Sequence, residues 1–596
     1  MSVTLLRPAA LVLFAACALR AQSPCANTPA YSPCDLAFDL PAGQADPYKT
    51  VDLKAEFRSP HHRTFAMPAF WAGGSRMIIR FTPTEAGDWA YRVTSNVAEL
   101  DGKTGSFTAA ASPSAGFIRA ANTHHWAYTE KDSEGLDRAH LWMGATEMRF
   151  AAEDDAAFRV AADARAAQKF NHLRGAVALE GAEPIYQGPD APNLAFFQRL
   201  DERVRYLNSK GITADLILAR DGAALTKLFP NWEQRRRFAR YLVARYAPMH
   251  VTWQGVEYFE DTMDTRALLK EIGGVLKELD PYQHPRTSGA RLTSAPLLDD
   301  GWMTFAAYGT ADSNVNAIEH QLYAVPFVNL DFGGEDSDTA AFRRRLWNAT
   351  MDGQAPTYSY AAAGPPRLDA PGAKQMSVWY DFFDDTRYWE LEPYFDCDGG
   401  RALALEDTEY VVYIEKPGPL ELIVEKHGYD VYWVNPIDGA VTKGKKFSGD
   451  HFTGSPPDRS HDWILHVVRE GHMESMNRSY KFESRRIQLQ EIESNSPKVP
   501  FTLEQPSADL TLRVSAPFAV KLTRETRATR SMLYLWTGDV SAGGQGYRVI
   551  ATGASGVMRP LNSIAKEFPA LMHLRVYGMN ANGKVYAIDR AFSINP

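Results

Sequence analysis

The spacing of apolar and polar positions changes twice along the chain. From Val51 to Phe107, short runs alternate and are broken by turns. Met77–Phe81 and Trp89–Val93 are two such runs, with Glu85-Ala86-Gly87-Asp88 between them. A period of two buries one face of a strand and leaves the other in water. This stretch therefore predicts a β-sandwich of roughly 90 residues. The Ala/Ser/Pro-rich segment from Ala109 to Gly116 reads as its exit linker.

The middle of the chain alternates strand-like with helix-like runs. The strand-like runs are Leu141–Glu147, Leu173–Leu179, Thr213–Ala219, His250–Glu257, Arg286–Arg291, Met303–Gly309, Pro326–Gly333 and Ala355–Ala361. Helical periodicity appears at Asp155–Lys169, Phe196–Lys210, Trp232–Tyr246, Thr265–Leu279 and Thr339–Thr350. Eight strands with helices between them predict a (β/α)₈ barrel, a fold of typically ~250 residues. An open α/β sheet is the rival, but no Gly-rich phosphate loop follows the first strand. P-loop, HExxH and GxSxG patterns are also missing. After Pro393 only strand patterns remain. Glu409–Ile414, Leu420–Glu425, Asp430–Val434 and Trp463–Val468 predict a small β domain. Ile487–Ile492, Leu510–Val514, Ser531–Trp536, Tyr547–Ile550 and Met572–Tyr577 predict a second one.

The expected organisation is a multidomain chain. It has a signal peptide (1–21), an Ig-like β-sandwich (22–115), a TIM barrel (116–392) and two C-terminal β-sandwich domains (393–472 and 473–596).

Composition narrows the function. The 64 basic and 72 acidic residues give a net charge of −8, which does not favour a nucleic-acid partner. No run of roughly 18 apolar residues follows the extreme N-terminus, so no membrane-spanning helix is expected. The 13 Trp, 26 Tyr and 30 Phe suit both sandwich cores and sugar stacking. Arg7 followed by the apolar stretch Ala9–Leu19 reads as an export signal cleaved after Ala21. Phe14-Ala15-Ala16-Cys17 offers a rival lipoprotein site at Cys17. Either reading places the protein outside the cytoplasm: secreted, periplasmic or on a bacterial cell surface. Export permits a Cys25–Cys34 disulfide and leaves Cys397 as a lone thiol. His61-His62 and His124-His125 would point to opposite faces of a strand and are read as structural. No metal and no cofactor are expected. Asp396 and Asp398 suggest too few ligands for calcium.

Several segments carry a resemblance. Ala55–Pro60, Pro68-Ala69-Phe70-Trp71, Arg80–Pro83 and Gly87–Tyr91 resemble an Ig-like domain of unknown function that precedes hydrolase barrels in secreted bacterial proteins. Leu141–Thr146, Arg245-Tyr246 with Val251-Thr252-Trp253, Pro326–Asp331 with Glu335, and Arg344, Trp347, Gly353 and Tyr358 resemble apiosidase-like glycoside hydrolases. Trp389–Pro393, Tyr432–Pro436 with Gly439, and Asp462-Trp463 resemble a small collagen-binding-like β domain.

The resemblance implies a carbohydrate substrate and two carboxyl groups flanking one glycosidic bond. In a barrel both belong at C-terminal strand ends. It places the acid/base near the fourth strand, at Glu257, with Glu260 as the local rival. Asp331 ends the seventh strand where the family carries Glu, and Glu335 matches its second acid. Glu147, Trp253, Tyr258, Glu260, Tyr308 and Tyr360 are expected to bind substrate at the mouth. The fifth strand lacks the family's usual His, and the first ends Thr146-Glu147 instead of Asp-Thr. A different substrate or a non-catalytic carbohydrate- or matrix-binding descendant both fit these departures.

Overall fold

The computed structural model describes residues 24–121, 123–262, 265–311, 313–334, 337–359, 367–471, 489 and 491–499. It also describes strand backbone between 503 and 574, and residues 575–595. The export signal with Cys17, and the expected site residues Glu335 and Tyr360, lie outside the described residues.

The N-terminal domain is a two-sheet sandwich. Cys34–Asp39, Arg76–Phe81 and Phe70–Gly73 form one antiparallel sheet. Thr64–Pro68, Leu53–Arg58, Gly87–Ser95 and Thr104–Ala109 form the other. The alternation drives it: Leu53, Ala55 and Phe57 are buried while Lys54, Glu56 and Arg58 are exposed. Phe57 stacks on Phe81 with centroids 3.7 Å apart, and Trp89 meets Phe81 edge-on. Cys25 and Cys34 are disulfide-bonded, as expected.

The barrel strands are β1 (Gly144–Thr146), β2 (His172–Ala176), β3 (Thr213–Ala219), β4 (Val251–Val256), β5 (Arg286–Thr287), β6 (Ala306–Tyr308), β7 (Phe327–Asn329) and β8 (Gln354–Tyr358). They pair in parallel in the order β5-β4-β3-β2-β1-β8-β7-β6. The circle closes between β5 and β6 without a ladder. There Thr304 N–H donates to Arg286 O at 2.8 Å, and Thr287 Oγ1 donates to Phe305 O at 2.9 Å. β5 is much shorter than the expected Arg286–Arg291. After Thr287 the chain crosses the end of β4, where a side chain on Gly289 would lie 2.3 Å from Glu257 O.

The outer helices are α1 (Asp155–Ala167), α2 (Leu194–Ser209), α3 (Trp232–Tyr246), α4 (Thr265–Leu279), α5 (Ser313–His320), α6 (Thr339–Met351) and α7 (Pro371–Asp384). Asp154 caps α1, and Asn231 with Gln234 closes a capping box on α3. The sequence reading missed α5, α7 and a three-stranded sheet, Ile118–Ala120, Trp126–Lys131 and Asp137–Ala139. That sheet plugs the N-terminal end of the barrel. Trp126 packs 4.8 Å from Trp142 and 5.2 Å from Phe305, in one apolar cluster with Val328 and Leu330.

Buried charges lock the domains together. Arg80 of the sandwich donates to Asp201 of α2 at 3.0 Å and to Arg245 O at the end of α3 at 3.0 Å. Arg245 donates to the same Asp201 at 2.7 Å. On the other side, Arg343 of α6 pairs with Asp462 at 2.9 Å, and Arg387 pairs with Glu409 at 2.7 Å. His466 completes that second cluster, 2.6 Å from Glu409.

The small β domain is a continuous antiparallel sheet organised by the long strand Leu420–Val434. Among the described residues of the last region, the regular elements are strands. Its sheets are built on Ala528–Thr537, Ala570–Asn580 and Val585–Asn595, and on Phe518–Leu522. Among the described residues, no helix is long and apolar enough to cross a membrane.

Candidate active site

The barrel interior is polar along much of its axis, because strand parity points alternate residues inward. His140 Nε2 lies 2.9 Å from His172 Nε2, and His172 Nδ1 lies 2.9 Å from Asp215. Thr252 donates to Asp215 at 2.7 Å. One layer higher, Arg174 Nε donates to Gln254 Oε1 at 2.7 Å. Arg174 is 6% exposed, and no carboxylate among the described residues pairs with it directly.

The charges nearest Arg174 define the mouth. Burial, the dominant influence, lowers its pKa, while Glu257, Tyr258, Asp215 and Asp331 act to raise it. Glu257 follows β4 and Asp331 follows β7, so two carboxylates from separate strands act on one guanidinium. Tyr258 belongs to the same group. Burial and then the adjacent Glu257 push its hydroxyl up to about 12, with Asp331 adding to the rise and Arg174 opposing it. The phenol therefore stays protonated at neutral pH and can donate. Arg291 lies 4.1 Å over the Tyr258 ring and pairs with Asp261 at 2.8 Å. Asp331 is exposed, and its carboxylate accepts from Ser359 Oγ at 3.3 Å. Beside the mouth, a groove of 290 Å³ lies between the loops after β2 and β3, lined by Glu180, Arg220 and Asp221 among others. A larger concavity, 780 Å³, sits on the outer sheet face of the N-terminal sandwich. Glu56 is the sole carboxylate in its lining.

Four expected substrate contacts are elsewhere. Trp253 is fully buried and donates to Asp280 at 2.9 Å. Thr252 and Gln254 take the inward positions of β4, which turns Trp253 to the helix layer. Tyr308 is buried on the outside of β6 and donates to Glu319 at 2.6 Å. Glu147 is buried and salt-bridged to Arg165 of α1 at 2.9 Å. Glu260 accepts from the backbone N–H of Arg291 at 3.0 Å and holds the loop after β5. The site thus keeps Glu257, Asp331 and Tyr258 from the expected set, and adds Arg174 and Gln254. An arginine two residues after His172 in a strand otherwise of small and apolar residues was the available signal.

With this geometry in place, residues 137–355 match the apiosidase-like catalytic domain, and residues 27–96 match DUF5060, a domain of unknown function. Similar solved structures include a candidate glycoside hydrolase from Bacteroides vulgatus ATCC 8482, with TM-score 0.65, 18% identity, and coverage of 74% of this chain and 100% of that one. Another, a glycoside hydrolase, has TM-score 0.52 and 15% identity over 60% of this chain and 97% of its own. A family 5 glycoside hydrolase from Bacteroides vulgatus ATCC 8482 has TM-score 0.51 and 13% identity over 58% and 91%. At these identities the likeness defines the fold. A search of curated proteins gave no match.

Proposed function

We propose that the protein is an exported glycoside hydrolase that cleaves a plant or bacterial oligo- or polysaccharide with the carboxylates of Glu257 and Asp331. The observation that carries this reading is positional: Glu257 and Asp331 follow the C-terminal ends of β4 and β7, where barrel chemistry is built, and the charge of both favours the protonated form of buried Arg174. Glycosidic cleavage needs one carboxyl group to protonate the leaving oxygen and another to act as nucleophile or base. In this reading Glu257 is the acid and Asp331 the nucleophile or base. Arg174 and the Tyr258 hydroxyl hold sugar hydroxyls and the developing charge between them. The Cys25–Cys34 disulfide fits an oxidising compartment and supports export.

The test is a glycan-panel screen followed by variants on whichever substrate is cleaved. Glu257→Gln is expected to lower turnover by about 10²–10⁴-fold while sparing substrates with good leaving groups. Asp331→Asn is expected to abolish turnover of every substrate. Full activity in both variants removes these residues from the chemistry. Binding without cleavage anywhere on the panel replaces the hydrolase reading with a carbohydrate-binding one.

A further inference from the structure

At the opposite end of the barrel, three distant parts of the chain bring metal-ligating side chains to one point. His124 lies in the loop entering the plug strand Trp126–Lys131. His320 ends α5. Glu392 opens the strand that leads into the small β domain. One ligand atom from each lies within 4.8 Å of the other two. His124-His125 was expected to split across a strand. It sits instead in a loop, where both rings turn towards Glu392: His125 Nδ1 is 3.6 Å from Glu392 Oε1.

Among the described residues, the hydrogen bonding around His320 and Glu392 leaves room for a cation. His124 Nε2 lies 3.0 Å from Tyr323 O, a carbonyl that can only accept. The ring proton is therefore on Nε2, and the lone pair of a neutral His124 is on Nδ1. That lone pair faces Glu392 Oε2 at 2.9 Å, so two acceptors meet. His320 Nε2 is 3.3 Å from the same oxygen, yet neither ring nitrogen of His320 makes a hydrogen bond. His320 is 3% exposed. A proton on His124 Nδ1 would settle the first contact and leave the second. The two rings are 3.7 Å apart, so a second proton on His320 would put like charges together in a dry site. A divalent ion satisfies both nitrogens and the carboxylate at once.

The cavity size and the two separations from Glu392 fit a small cation. Tetrahedral zinc with bonds of about 2.0–2.1 Å sets its ligand atoms about 3.3 Å apart. The observed separations from Glu392 Oε2 are 2.9 and 3.3 Å. The adjoining cavity is about 70 Å³, too small for a sugar and large enough for an ion with a water. Gly353, at φ +83°, closes over the site; any side chain there would come within 2.4 Å of His320 Nε2.

We propose that His124 Nδ1, His320 Nε2 and the Glu392 carboxylate bind a divalent transition metal, zinc by the nature of the donors, which clips the plug, α5 and the entrance of the small β domain together. The site is remote from the mouth, so this inference does not depend on the hydrolase reading. A tag-free mature protein, purified without chelator, is expected to hold about one zinc per chain by elemental analysis. Dipicolinate should remove it and lower the melting temperature by ~5 °C, and zinc alone should restore both. His320→Ala and Glu392→Gln should retain no zinc and show no melting response to it. Should the variants fail to fold, cobalt added to the stripped wild type decides, with a visible d–d spectrum expected. Zinc-free wild type insensitive to chelator, zinc and cobalt overturns the proposal, as does zinc retained by both folded variants.

Discussion

The domain junctions and the barrel mouth treat buried charge in opposite ways. At the junctions, every buried arginine discussed above meets a carboxylate: Arg80 and Arg245 share Asp201, Arg343 meets Asp462, and Arg387 meets Glu409. At the mouth, Arg174 is equally buried but donates its one hydrogen bond to a neutral amide. Its compensating carboxylates stand off at the entrance. Burying an ion costs several kcal/mol, and close pairing offsets that cost. A junction charge is thus neutralised by the chain itself. The mouth charge is left without a close carboxylate, and a perturbed ionisable group of that kind is a mark of functional sites.

The sharpest way to break this contrast is to remove an arginine from each place. Arg387→Met should destabilise the fold by about 3 kcal/mol, because the buried Glu409 loses its guanidinium partner and keeps only His466 and the residue 387 backbone N–H. Arg174→Met should cost less, about 1–3 kcal/mol, since it leaves a neutral amide oxygen, Gln254 Oε1, without its donor and strands no charge. It should also weaken glycan binding, read by calorimetric titration. A large stability loss in Arg174→Met would make it a structural charge and erase the distinction.

Asp201→Asn comes next, with an expected loss of about 3 kcal/mol because two guanidinium groups lose one carboxylate. Hydrogen exchange should report the loss at both the sandwich and α2. Removing the disulfide as Cys25→Ser with Cys34→Ser should cost about 2–3 kcal/mol by loop-closure entropy, measured by chemical denaturation. The smallest effect is a pH slope. Burial acts to raise the Glu409 pKa, but the His466 hydrogen bond and charge and then Arg387 outweigh it, so the net shift is downward. A lowered carboxylate pKa contributes stability above its unfolded value of about 4.3 and loses it as pH falls further. Stability measured from pH 6 to pH 3 should fall in the wild type, with a shallower slope in Glu409→Gln.

The long elements were legible because their periodicity is long. Trp232–Tyr246 and Thr265–Leu279 begin and end where the pattern does. β5 and β6 were overextended because these short strands are set by the crossing at Gly289 and the seam at Thr304, which are tertiary facts. At the site, position along a strand was readable and facing was not. Trp253, in the middle of β4, and Tyr308, at the end of β6, are on the outer parity. Glu147 is held by Arg165, eighteen residues away. Arg174 escaped notice because central parallel strands read as continuous buried runs, which hide the inward face.

One ring in the N-terminal interface bears on how the sandwich can be used as a part. Tyr282, from the barrel, donates to Thr82 O at 3.1 Å and accepts from Thr82 N at 2.8 Å, 200 residues away in sequence. Its ring lies 5.9 Å from Phe65, 6.4 Å from Phe81 and 5.0 Å from Phe117. The sandwich therefore emerges during synthesis well before the side chain that covers this edge of its core. Transplanted to another protein, it would carry an uncovered aromatic notch and an unpaired pair of Thr82 backbone groups. A graft succeeds when the new host supplies a phenol at that place.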